Sequence, residues 1–414
     1  MVNHASLLVP YCPNSCPDGI PAIENPLLFY VFELANFSVL AFFVLIAYRL
    51  KLLSPVSMWA WLLFCTAPFF FNYFFTAPQV FPDQFQYFHE VTSLKTTGES
   101  VWYIARTEFL KGGAMTVTTF AAKILGWAPI PNWMTVTSTA FANKFFALIT
   151  FIWLTKYIEQ HKLLIFFLLP SFIIYSSMGL RDNLIILTSI ISLIHIANSR
   201  YILASIFLAP LLWLKPQMLL FIGIYFLGKL IFSAHKSLYG LSALALLSLI
   251  IVGATQVFLI DYLNYYRIGF AAENFVADNM TIGYAAFDRY GDKSDYEIAS
   301  VFGLIGTAFY NLPYFLLMPM PWTWSNPFHI ANFLDSILCM IGLGYIIIKY
   351  QAKRNQEVIF LILCMGVGML AYALLVANVS TFARYRFELV MPYLVCIYYV
   401  AKRDMDSAKA LELK

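Results

Sequence analysis

Apolar runs long enough to cross a membrane recur along most of this 414-residue chain. A helix needs about 20 mainly apolar residues to span about 30 Å of hydrocarbon. In hydrocarbon, only helices and closed barrels satisfy their own backbone polar groups. The segments at about 27–48, 56–75, 136–154 and 358–377 read as such helices. Hydrophobic residues make up 61% of the chain and charged residues 12%, about half the charge of a soluble domain. The sequence therefore predicts an all-α, polytopic integral membrane protein, one transmembrane domain over residues 1–414. About 11 transmembrane helices are expected, within a range of about 10 to 13.

Further spans fall at about 163–178, 184–197, 201–214, 218–232, 241–260, 333–348 and 389–400. Two polar stretches, about 77–131 and 261–300, are too charged to cross. Lys and Arg near helix ends set orientation, being retained on the cytoplasmic side. Arg49/Lys51, Lys156/Lys162, Arg200, Lys236, Lys349/Lys353/Arg354 and Lys402/Arg403 are assigned to that side. This places the amino terminus outside, both long loops outside, and a tail from about 402–414 in the cytoplasm. Alternation holds through the eighth span and then fails once. The segment near 301–324, with Asn311, Pro313 and the Trp322/Trp324 pair, is therefore expected to be re-entrant or interfacial on the outer face. The alternative is a full crossing with one charge violation. No cleavable leader is evident in the first 26 residues. Cys12 and Cys16 lie in that polar start and can close a disulfide if it is outside, or remain thiols.

This topology gathers the unusual polar residues on the outer side. Asp83 follows the second span among Phe81, Phe85 and Tyr87, with Glu90 close by. A carboxylate desolvated at the membrane edge suits a general base, whereas a solvated loop Asp would do nothing. Arg181 and Asp182 join two short spans with almost no loop, at a depth where unpaired charge costs roughly 2–3 kcal/mol on insertion scales. They read equally as site residues or as a helix-capping pair. Lys215 sits between apolar runs, where it can bind an anion or snorkel to headgroups. Arg384, Tyr385 and Arg386 precede the last span, where Arg is unusual for an outer segment. A guanidinium fork matches phosphate oxygens, and the competing reading is a salt bridge to Glu388. The Tyr- and Asp-rich loop beginning at Asp261 has a sugar-binding composition, or is an interfacial belt. Lys144 and Asp335 fall inside spans as relay or packing groups. The chain has no phosphate-binding Gly-rich loop, no zinc-type His or Cys spacing and no basic excess suited to nucleic acid.

Four segments carry a family resemblance: Pro82-Asp83-Gln-Phe-Gln-Tyr87; Pro170-Ser171 through Ser176-Ser177-Met-Gly-Leu-Arg181-Asp182; Pro319-Met-Pro321-Trp322; and Asn378-Val-Ser-Thr381-Phe-Ala-Arg384-Tyr385-Arg386. In order and spacing the chain resembles the Wzy-type polymerases of O-antigen and capsule repeats, and the C-type glycosyltransferases that use polyprenyl-linked sugars. The C-type enzymes often carry paired acidic residues in the first outer loop. Here Asp83 stands alone, with Glu90 seven residues on, which tilts the resemblance toward a polymerase and leaves a divalent metal unindicated. The resemblance implies a bacterial inner-membrane enzyme with no cofactor, acting on a polyprenyl-diphosphate-linked glycan. A chain-length regulator and a flippase would be its partners. Asp83 and Asp182 would be catalytic, and Arg181, Lys215, Arg384, Tyr385, Arg386, Glu90 and Trp322 would bind substrate. A single-sugar C-type transferase and a transporter of lipid-linked sugars are the alternatives.

Overall fold

The computed structural model describes residues 26–70, 87, 88, 91, 117–131, 133, 135, 137–235, 301–323, 327–350, 355–375 and 379–412. Among these, all regular structure is helical. The helices are α1 (Pro26–Arg49), α2 (Pro55–Phe70), α3 (Val117–Leu125), α4 (Thr137–Leu154), α5 (Gln160–Phe167), α6 (Pro170–Ser176), α7 (Asp182–Ala197), α8 (Tyr201–Leu208), α9 (Leu211–Leu214), α10 (Pro216–His235), α11 (Val301–Leu317), α12 (Pro327–Lys349), α13 (Gln356–Leu375) and α14 (Val379–Glu412). Four stretches among them are long and apolar enough to cross a membrane: Tyr30–Arg49, Thr137–Leu154, His329–Lys349 and Gln356–Leu374. Shorter apolar helices cover Pro55–Phe70, Asp182–Ala197, Tyr201–Leu214 and Pro216–Leu230. Helices of this kind suit a bilayer.

Proline opens many of these helices. Pro26, Pro55, Pro170, Pro216 and Pro327 each occupy the first helical position, where a missing N–H costs nothing and φ is already helical. The residue before a proline is pushed to extended backbone. Leu169 accordingly has φ −58° and ψ 136°, and the span expected at 163–178 divides into α5 and α6. Lys215, before Pro216, has φ −165° and ψ 88°, which separates α9 from α10. Pro313 behaves differently. α11 continues through it, although an interior proline removes one helical hydrogen bond. Asn311 holds this stretch by donating to the Ala373 carbonyl at 3.0 Å. The segment preceding the last span is also helical: residues 379–388 form the first turns of a 34-residue α14.

The chain divides into two compact units, Met1–Thr188 with Ala209–Pro216, and Ser189–Leu208 with Gln217–Lys414. In the first, Trp61 packs edge-on against Phe64 and Phe151, and Phe172 meets Phe64 and Phe167. Between membrane helices such packing, rather than escape from water, supplies the attraction. Each aromatic pair contributes about 0.5–1.5 kcal/mol beyond its buried area. α1 ends with Lys51 at φ 59°. The Leu52 N–H bonds the Ala47 carbonyl and the Lys51 N–H bonds that of Tyr48, both at 2.9 Å, a Schellman end. Gln160 then clamps the α1–α2 turn, accepting from the Ser54 N–H at 2.7 Å and donating to the Leu52 carbonyl at 2.9 Å.

In the second unit a charged cluster ties helix ends together. Glu357 accepts from Lys229 at 2.6 Å, from Arg403 at 3.0 Å and from the Tyr225 hydroxyl at 2.7 Å. Arg403 also donates to Asp404 and to the Ala197 carbonyl, each at 2.8 Å. Asn355 caps α13 through the N–H groups of Glu357 and Val358. Tyr393 donates to the Phe221 carbonyl at 2.9 Å, joining α14 to α10.

Candidate functional site

The first unit buries a polar cluster inside apolar helices. Its centre is α4, where Asn143 and Lys144 are both 0% exposed. The Asn143 amide donates to the Met178 carbonyl at 2.8 Å and the Leu180 carbonyl at 2.9 Å, fixing the turn between α6 and α7. Asn183 returns the contact, donating to the Asn143 carbonyl at 3.0 Å. Lys144 Nζ donates to Ser176 Oγ at 2.8 Å and lies 3.3 Å from the centre of the Phe64 ring. A hydroxyl and an aromatic face thus stand where a carboxylate would be expected beside a buried amine.

The backbone on either side of Arg181 and Asp182 is therefore tied to α4. Asp182, 0% exposed, is the first residue of α7, where the helix dipole favours a carboxylate. Arg181 beside it is half-buried. Lys215, 3% exposed, occupies the α9–α10 break of the same unit. Trp213, just before it, stacks on Phe120 of α3 with centroids 5.1 Å apart.

One end of this unit holds a carboxylate that the sequence reading passed over. Glu33 is 0% exposed on α1, three residues inside the Tyr30–Arg49 span. Its Oε1 accepts from the Thr137 hydroxyl at the start of α4. Thr137 Oγ1 also lies 3.2 Å from Thr135 Oγ1. Glu33, Asn36, Leu40, Val44 and Ala47 form the buried stripe of α1. Two polar residues continuing an apolar stripe at helical spacing were the available signal.

In the second unit Arg386, 5% exposed, turns inward. Its Nη1 donates to the carbonyls of Phe315, Leu316 and Met318, each at 2.9 Å, and Nη2 donates to that of Asn332 at 3.1 Å. The first three are carbonyls at the end of α11, which lack helical partners. Arg386 is thus a cationic cap on a helix C-terminus. The sequence reading paired Arg386 with Arg384 at a diphosphate and gave Glu388 as the competing partner. The observed carbonyl bonds supply a structural task for Arg386. Residues two apart on a helix project to opposite sides, and Arg384 and Tyr385 are half-buried. The Tyr385 ring lies 5.2 Å from that of Tyr372. Trp322, in the short turn Pro321–Thr323, is 79% exposed.

α12 presents a buried polar stripe, His329, Asn332, Asp335, Ser336 and Cys339. Asp335, Ser336, Cys339 and Arg386 line a cavity of about 40 Å³. Ligand pockets run to about 300–1,000 Å³, so a sugar does not fit there. Asp83 and Glu90, like Cys12 and Cys16 and most of both polar loops, lie outside the described residues. Among the described residues no group of three or more His, Cys, Asp or Glu side chains could hold a metal ion.

Comparison with protein-family models, with curated proteins and with solved structures returns no match for this chain.

Proposed function

We propose that this chain is a membrane glycosyltransferase that joins polyprenyl-diphosphate-linked oligosaccharide units during cell-surface polysaccharide synthesis. In this reading the chain crosses the bacterial inner membrane about eleven times, with its amino terminus outside and its carboxyl terminus in the cytoplasm. The observation that carries it is the polar core of the first unit, where Asp182 and Lys215 are buried and Arg181 half-buried among apolar helices. Ionisable groups at such depth are expensive and mark sites for polar substrates.

Arg181 and Lys215 bind the anionic carrier headgroup and stabilise charge as it develops on the leaving diphosphate. The hydrogen bonds from Asn143 to Met178 and Leu180 fix the backbone from which Arg181 projects. A carboxylate takes the acceptor hydroxyl proton, and the sequence candidates are Asp83 and Asp182. No nucleotide is required, because the carrier lipid supplies the activated sugar. Arg384, Tyr385 and Trp322, the other substrate-binding residues expected from the sequence, belong to the second unit, where Arg384 is the group suited to an anion and the two rings to sugar. Arg386 keeps α11 and α12 in place. A chain-length regulator and a flippase are the partners that such a polymerase needs.

The test is a deletion strain complemented with Arg181→Ala, Lys215→Ala or Arg384→Ala. Each variant is expected to keep wild-type protein levels in the membrane and to lose long-chain polysaccharide, leaving single exported repeats. Normal chain-length ladders in all three would overturn the reading.

A further inference from the structure

The fold accounts for only part of Glu33, whose carboxyl is hydrogen-bonded by the hydroxyls of Thr135 and Thr137. One carboxylate oxygen accepts from Thr137, while Oε2 is buried with no hydrogen-bond partner among the described residues. A buried acceptor left in this state costs about 1–3 kcal/mol, more for a charged group. An apolar side chain such as Leu in its place would carry no such cost, so the carboxyl is held here at an energetic expense. Asp182 differs, because as the first residue of α7 it has a dipole to complement. Glu33 lies in the interior of α1, beyond the reach of the helix's unpaired N–H groups.

Position along the helices relates Glu33 to the turn that carries Arg181. Glu33 is the eighth residue of α1, and Thr137 is the first residue of the candidate span Thr137–Leu154. Both therefore sit toward one end of their helices rather than at the middle. Lys144 lies seven residues along α4 from Thr137, about 10 Å by helical rise. The Glu33 carboxyl thus stands about two turns from the level of the Asn143-anchored turn that carries Arg181.

We propose that Glu33 is the catalytic base for the acceptor hydroxyl, with Thr135 and Thr137 holding its carboxylate in place. This rests on the glycosyltransferase reading and names the residue within it. Glu33 Oε2 takes the proton of the acceptor sugar hydroxyl. The acceptor oxygen forms its bond to the anomeric carbon of the donor, and the bond from that carbon to the diphosphate oxygen breaks. The electron pair leaves with the lipid diphosphate, and the proton passes from Glu33 to solvent.

The experiment uses purified full-length protein in lipid nanodiscs and a synthetic polyprenyl-diphosphate oligosaccharide, with glycan product followed against pH. Glu33→Gln keeps the side-chain shape and an acceptor for Thr137. It is expected to lower kcat at least about 100-fold, with KM within about twofold and the melting temperature unchanged. A base works only when deprotonated, so wild-type activity falls as pH falls, and Glu33→Gln is expected to lose that acidic limb. Glu33→Asp should retain part of the rate with the limb displaced. Glu159→Gln, at an exposed position beside His161, serves as the control and keeps full activity. A Glu33→Gln kcat within about threefold of wild type, or an acidic limb of unchanged shape, overturns the proposal and leaves the transferase reading standing. If Glu33→Gln lowers the melting temperature, the pH profile of Glu33→Asp decides, and an undisplaced limb overturns the proposal. Wild-type protein that transfers no sugar ends both readings.

Discussion

Replacing Arg386 separates a helix cap from a substrate ligand. Its two Nη1 hydrogens are shared among three carbonyls at the end of α11, and Nη2 reaches a fourth on α12. Hydrogen bonds to charged donors contribute about 1.5–3 kcal/mol each. The four are coupled, so their losses do not simply add. Arg386→Ala leaves buried carbonyls unpaired and removes a cation from a helix C-terminus, itself worth up to about 2 kcal/mol when partly buried. A total loss of about 4–6 kcal/mol is expected, enough to remove most folded protein from the membrane. Arg386→Lys keeps the charge but not the planar fork, and should cost about 2–3 kcal/mol. In a Cys12→Ser, Cys16→Ser background a thiol-reactive fluorophore reports the unfolding, because Cys65, Cys339, Cys364 and Cys396 are all buried and react only when the protein opens. Cys339 also lines the cavity beside Arg386, so it should become reactive early in Arg386→Lys. The reasoning is refuted if Arg386→Ala unfolds within about 1 kcal/mol of wild type while polysaccharide synthesis is lost. That result would return Arg386 to the substrate.

Two further outcomes are expected. Glu357→Gln removes the carboxylate shared by Lys229 and Arg403 and leaves two partly buried cations facing each other. A loss of about 2–4 kcal/mol follows, measured by thermal unfolding in detergent, and the further change Lys229→Met should recover part of it. Ser199 ends α7 in the left-handed region at φ 56°, with its N–H bonded to the Ile196 carbonyl and that of Arg200 bonded to His195. A non-glycine residue costs about 1–2 kcal/mol there, so Ser199→Gly should stabilise the protein by about 0.5–1 kcal/mol after glycine's own entropy loss, read as a raised melting temperature.

The helical class was legible because hydrocarbon admits few backbone solutions, so apolar runs of sufficient length dictate helices wherever they fall. The lengths at which those runs break were harder to see. Pro170 and Pro216 each start a helix and force Leu169 and Lys215 into extended backbone, whereas Pro313 leaves α11 intact. The same residue type gives different outcomes because a proline's effect depends on whether its neighbours can re-satisfy the freed carbonyl, and that is a matter of packing.

Side-chain partners were beyond the sequence for a related reason. Arg386 and Arg384 are nearly equivalent as letters, yet only burial against the end of α11 makes one of them a cap. Glu33 looked like a single acid near the start of an apolar run until α4 brought Thr137 against it. Sequence alone determined the solvent that this chain must satisfy, since that follows from composition and run length. Which buried polar groups the fold itself pairs was decided by tertiary structure, because a charge in a low-dielectric interior depends on the few groups within hydrogen-bond reach of it.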